Sequence, residues 1–116
     1  MIRIVLKGQP RSTQSLYGQS GKVRYMKQWA KDLKEDYQWQ VKQQYKGELL
    51  KDDLAIDVVI YYGNKRKYDW DNVHKLTQDS LEGLVFEDDA QIQEAHVIKD
   101  YDKEDPRVEY YINTID

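Results

Sequence analysis

No cysteine occurs in this chain. A disulfide framework and a thiolate metal site are therefore both excluded. No apolar run approaches the ~20 residues of a membrane span. The opening Met1-Ile2-Arg3-Ile4-Val5-Leu6-Lys7 is too short and too charged for a signal peptide. A soluble, cytoplasmic protein without a membrane partner is the expectation. There is no low-complexity segment, internal repeat or interdomain linker. Apolar residues make up 40% and charged residues 34% of the 116. That balance is polar, yet ten Tyr, three Trp and regularly spaced Ile, Val and Leu argue against disorder. The length suits one domain over residues 1–116.

The net charge of −3 hides a segregation. Residues 1–31 carry Arg3, Lys7, Arg11, Lys22, Arg24, Lys27 and Lys31 and no acid, whereas residues 76–116 set three bases against twelve acids. Such asymmetry says more about partners than the total does. A basic N-terminal third can bind phosphates by releasing counterions. Random drift of charge over a solvated surface is the plain alternative.

Ile2, Ile4 and Leu6 alternate with Arg3, Val5 and Lys7, as in a half-buried strand. Residues 11–24 are rich in Ser, Gly, Gln and Arg and read as a basic loop or loose hairpin. Trp29, Leu33, Tyr37, Val41 and Tyr45 recur every fourth residue, predicting an amphipathic helix from about Met26 to Tyr45 with Gly47 as its stop. Trp39 lies off this stripe and is expected to be exposed or to meet a second subunit. Leu54, Ile56, Val58, Ile60 and Tyr62 predict a strand with one buried face, with Asp57 toward solvent. Val73, Leu76, Thr77, Ser80, Leu81 and Leu84 return to helical spacing, and Gly83 breaks it. Residues 91–101 and 108–115 read as two more strands. The order is β, loop, α, β, α, β, β.

Chemistry concentrates in Asp69-Trp70-Asp71-Asn72-Val73-His74-Lys75, which follows the basic run Lys65-Arg66-Lys67. Asp88-Asp89-Ala90-Gln91 comes from a separate segment. Hard divalent cations take oxygen ligands and keep some waters. Phosphodiester hydrolysis wants such a cation and a fixed positive charge. The ordinary alternatives are real. An Asp at a helix start can simply cap it, Asp71 and Lys75 at i and i+4 can form a weak surface pair, and Asp88-Asp89 can be a turn. One cap, however, needs neither two Asp nor a Lys. A calcium-binding helix-loop-helix is excluded, because His74 stands where its loop needs Gly and Ser80 where it needs Glu. No glycine-rich phosphate loop is present, and no serine sits beside a candidate base for covalent catalysis. His74 and His96 make no zinc signature, and no small-molecule cofactor is indicated.

The segment 69–75 together with Phe86-Glu87-Asp88-Asp89-Ala90-Gln91-Ile92 resembles the RusA family of Holliday-junction resolvases. The likeness is firm over residues 65–98. It is looser over 1–30, where Gly8-x-Pro10 and an arginine-bearing loop are similar. The resemblance implies a small, homodimeric, Mg²⁺-dependent endonuclease of phage or prophage type, with Mn²⁺ able to substitute. It implies an α/β domain of the α+β type, a small mixed sheet packed against two main helices. By the same resemblance Asp69, Asp71 and Asp89 hold the metal and Lys75 is the essential lysine, with Asp88 a further candidate ligand. Lys65, Arg66, Lys67, Arg11, Lys22 and Arg24 are the expected phosphate contacts on a four-way DNA junction. Paired nicks require a two-fold dimer, for which Trp39 and the Tyr110-Tyr111 pair are the expected interface. Two other readings stay open: a non-catalytic branched-DNA-binding accessory protein, and a nuclease of flaps or Y-junctions.

Overall fold

Ile4 and Leu6 of strand β1 (Ile2–Lys7) are fully buried while Arg3 and Lys7 are exposed. This is the period of two that covers one face of a sheet. Strand β4 (Leu54–Tyr62) repeats it, burying Leu54, Ile56, Val58, Ile60 and Tyr62 and leaving Asp57 exposed. The computed structural model describes residues 1–11, 17–64 and 75–115. Within these, β1, β4, β5 (Ile92–Tyr101) and β6 (Arg107–Thr114) form a four-stranded sheet in the order β1-β6-β4-β5. β6 pairs antiparallel with both β1 and β4, and β4 pairs parallel with β5. A parallel pair needs a crossover, and the chain between β4 and β5 carries helix α2 (Lys75–Leu81). The expected mixed sheet with two helices is therefore observed.

Helix α1 (Gln28–Gln44) presents Ala30, Tyr37 and Val41 to the core, with Trp29, Leu33 and Tyr45 packed beside them. The fourfold stripe read from the sequence is its inner face, and Trp39 is 62% exposed on the outer one. Met26 is not helical. It ends β3 (Val23–Met26), which pairs with β2 (Tyr17–Ser20) in a separate hairpin. Gly47 is not the stop either. The helix ends at Gln44, where Tyr45 turns extended, and Gly47 has no positive φ. α2 also stops earlier than its apolar spacing suggests, at Leu81. Leu84 and Val85 still donate to the Leu81 carbonyl, and Gly83 takes φ +84° to turn the chain, a conformation open to glycine.

A sheet edge exposes unpaired peptide groups, and β1 lies at one. Two glutamines of α1 cover it. Gln44 accepts from the Val5 N–H and donates to its carbonyl, both at 2.7 Å, and Gln40 accepts from the Lys7 N–H at 2.8 Å. No periodicity argument marks these glutamines in advance.

The sheet face away from the helices holds a buried carboxylate. Glu109 is 2% exposed. It accepts from Arg3 at 2.8 Å, Arg107 at 2.6 Å and Tyr111 Oη at 2.6 Å. Arg107 also donates to Asp102 at 2.8 Å and stacks 3.8 Å from the Tyr61 ring centre. Burial alone raises the Glu109 pKa, but the bonds from Tyr111, Arg3 and Arg107 outweigh it and bring it down to about 2. A carboxylate depressed in the folded state adds stability above its unfolded pKa and loses it as pH falls through the folded one. Replacing Glu109 by Gln should cost roughly 2–3 kcal/mol at pH 7. In urea unfolding, the gap between Glu109→Gln and the parent should narrow steadily below pH ~4.5. An equal gap at pH 7 and pH 3 would contradict this account.

Candidate acidic site

In the described part of α2, Lys75–Leu81, packing fixes the position of the segment. Leu76, Thr77, Ser80 and Leu81 all face inward and are buried. Thr77 Oγ1 and Tyr110 Oη of β6 are 2.6 Å apart in the core. Ser80 Oγ donates back to the Leu76 carbonyl at 2.8 Å, satisfying a hydroxyl that would otherwise be stranded. Burial pushes the Tyr110 phenol far up, and the charges of Asp79 and Asp89 push the same way.

With those residues turned inward, Lys75, Asp79 and Glu82 take the outer side of the segment. Lys75 Nζ lies 3.4 Å from Asp79 Oδ2. Carboxylate oxygens of Asp79, Glu82 and Asp89 all fall within 4.8 Å of one another. That spacing is within the span of a single cation with ligand bonds of ~2.4 Å. Asp89 Oδ1 is buried and has no hydrogen-bond partner, while Gln78 bonds the carboxyl. Burial raises the pKa of Asp89, Asp79 raises it further, and Gln78 and Lys75 oppose. An all-oxygen donor set with one orphaned carboxylate oxygen fits a hard divalent cation.

Asp89 reaches this place from a short 3₁₀ turn, Asp89–Gln91, before β5. Asp88 caps that turn, accepting from the Ala90 N–H at 2.9 Å. Gln91 Oε1 accepts from the N–H groups of Glu87 and Asp88, and Gln91 Nε2 donates to the carbonyls of Leu50 and Asp52, all at 2.9 Å. In Asp88-Asp89-Ala90-Gln91, then, Asp88 and Gln91 build the turn and Asp89 faces the acidic group.

The structure thus brings Lys75 and Asp89 together from two segments. It gives Asp88 a backbone role beside them. Asp69, Asp71, Lys65, Arg66, Lys67 and His74 lie outside the described residues. Arg11 stacks 4.2 Å over the Trp29 ring centre. Lys22 and Arg24 are exposed on the β2–β3 hairpin. Asp57 and His96 are exposed on the far face of the sheet. Tyr110 is fully buried, so the expectation that it forms a subunit interface is corrected: β6 alternation turns Tyr110 into the core and Tyr111 to the other face. Asp79 and Glu82 escaped the sequence reading. The available signal was their spacing, since Asp79 is one turn after Lys75 and Glu82 three residues beyond.

Residues 4–113 match the family model described as Endodeoxyribonuclease RusA. The chain belongs to the RusA family of endodeoxyribonucleases. It is also similar to a protein named Crossover junction endodeoxyribonuclease RusA from Aquifex aeolicus (strain VF5), 32% identical over 66 residues, which is 56% of this chain and 52% of that protein. The chain thus spans about half the length of this curated relative.

If Thr77 and Tyr110 anchor α2 as described, Thr77→Val should destabilise the protein by ~1–2 kcal/mol, the cost of breaking a buried hydrogen bond. The double variant Thr77→Val/Tyr110→Phe should lose less than the two single losses added together. Chemical denaturation of the four proteins checks this; strict additivity would deny the coupling.

Proposed function

We propose that this chain is a Mg²⁺-dependent, structure-specific endodeoxyribonuclease that resolves four-way DNA junctions by paired symmetric nicks, acting as a homodimer of one domain each. Family membership supports the nuclease chemistry, and one observation carries its placement. Lys75 and Asp89, from separate segments, meet around an orphaned carboxylate oxygen. Asp69, Asp71 and Asp89 would hold the cation, with Asp79 and Glu82 alongside. When bound, the cation supplies Lewis-acid polarisation of the phosphate and an acidified water. Lys75 sits half-exposed at the rim, free to face a phosphate while Asp79 limits where its ammonium points. That fixed charge stabilises negative charge building on the phosphoryl oxygens. Asp88 and Gln91 hold the Asp89 turn, and the bases of residues 1–31 and 65–67 take neighbouring phosphates.

A junction needs two opposed cuts, and each chain offers one acidic centre among the described residues. The open sheet face, where Met1, Val59, Ile98 and Tyr111 surround Asp57 and His96, is our proposed contact between copies, with Trp39 the other exposed aromatic.

The decisive assay incubates labelled four-way, Y-shaped and linear DNA with Mg²⁺ or EDTA. Nicking should require Mg²⁺ and favour the four-way substrate. Faster cutting of Y-shaped DNA would move the reading to a flap or branch nuclease, and binding without cutting would make it an accessory protein. Lys75→Ala should lower nicking about 10²–10³-fold, as for a lost transition-state donor, with junction binding nearly unchanged. Light scattering at micromolar protein should give a dimer, and a cruciform plasmid should be linearised by paired nicks. A monomer giving single nicks would refute the paired mechanism and leave the metal chemistry standing.

A further inference from the structure

The hairpin of β2 and β3 carries a feature that phosphate binding does not use. Its two-residue loop is Gly21-Lys22, with Gly21 at φ +60°, as in a tight turn that starts on glycine. Side chains alternate across the two strands. Met26, on one face, packs against the core. Val23 and Tyr25, on the opposite face, are 64% and 48% exposed. The Tyr25 ring lies over Gly18, its cross-strand partner, so closely that a Cβ on Gly18 would stand 2.6 Å from it. The ring is thereby held flat on the hairpin. Lys22 at the tip supplies positive charge, and residues 1–31 contain no acid. At the foot of the hairpin, Arg11 stacks on Trp29 of α1.

A basic hairpin that only gripped phosphates would gain from polar side chains throughout. An exposed valine and a pinned aromatic instead suit a flat π-surface lying next to phosphates. Intact duplex hides its base faces. A branch point exposes them, on unstacked bases or on the terminal pair of an arm. We propose that Val23 and Tyr25 of the β2–β3 hairpin pack on exposed bases at the branch point of DNA, while Lys22 at its tip holds a flanking phosphate. This rests on branched DNA being the substrate, and adds the element that tells a branch from plain duplex.

The test measures affinity in EDTA, so that nothing is cut, for a four-way junction and for linear duplex of the same sequence. Parent protein should prefer the junction. Val23→Ser/Tyr25→Ser should bind the junction about 5- to 20-fold more weakly, the scale of one lost base–aromatic stack, and the duplex within about twofold of the parent. Tyr25→Phe alone should keep the preference, and Lys22→Gln should weaken both DNAs together. A 2-aminopurine at the branch point should change its fluorescence with parent and Tyr25→Phe and not with the double variant. Thermal melts of each variant should match the parent; a double variant that melts early is replaced by Val23→Thr/Tyr25→Leu, which must lose the fluorescence change. If the parent prefers the junction and the double variant keeps that preference, this inference fails alone. If the parent has no preference, the branched-substrate reading fails and takes this inference with it.

Discussion

The hydroxyl pair between Thr77 and Tyr110 decides where the acidic site can be. The apolar contacts of Leu76 and Leu81 in α2 have no direction. They would tolerate rotation of the segment about its axis. A buried hydrogen bond would not, because turning Thr77 away breaks its bond to Tyr110 in the core. Successive helical residues are separated by ~100°, so a slip of one position would carry Asp79 away from Asp89. The bond that looks like core maintenance is what aims Lys75, Asp79 and Glu82.

Asp89 is aimed independently. Gln91 gathers two backbone N–H groups of its own turn and two carbonyls near residue 51, tying the turn to the body of the protein. Two anchors on different segments thus press carboxylates of like charge together. That arrangement is unfavourable by itself, and the raised pKa of Asp89 is its signature, produced first by burial and then by Asp79. Folding energy spent on holding acids together is typical of sites prepared for a counter-charge. A structural cluster would more simply pair each acid with a base, as Glu109 is paired with Arg3 and Arg107 on the other face.

Much of this was legible in the sequence because it rested on local period. Alternation in 2–7 and 54–62 gave the sheet's covered face, and the fourfold stripe gave the inner side of α1. What was hidden depends on partners far along the chain. Gln40 and Gln44 read as polar helix surface, yet they close the edge of β1 because α1 happens to lie over it. Glu109 reads as an exposed strand position, and only the arrival of Arg3 from β1 and Arg107 two residues away buries it. Tyr110 and Tyr111 read as an exposed pair, though strand geometry must send neighbours to opposite faces. In the site, Asp89 was readable from its motif, whereas Asp79 and Glu82 look like ordinary charges on a short helix until the turn at 88–91 is folded against them.

The charge distribution gains its sense from this geometry. Asp79, Glu82 and Asp89 concentrate negative charge in one place, with Asp88 in the turn beside them. Within a Debye length of ~10 Å they repel DNA. Under the proposed function, affinity must therefore come from elsewhere, and residues 1–31 with seven bases and no acid are the source available. Holding DNA and cutting it then become separable. On that proposal the basic N-terminal third would bind with or without a divalent cation, and the acidic centre would admit a phosphate once a cation had offset its charge. A net charge of −3 is no obstacle to the proposed DNA binding, because the seven bases of residues 1–31 stand apart from the acids of residues 76–116 along the chain.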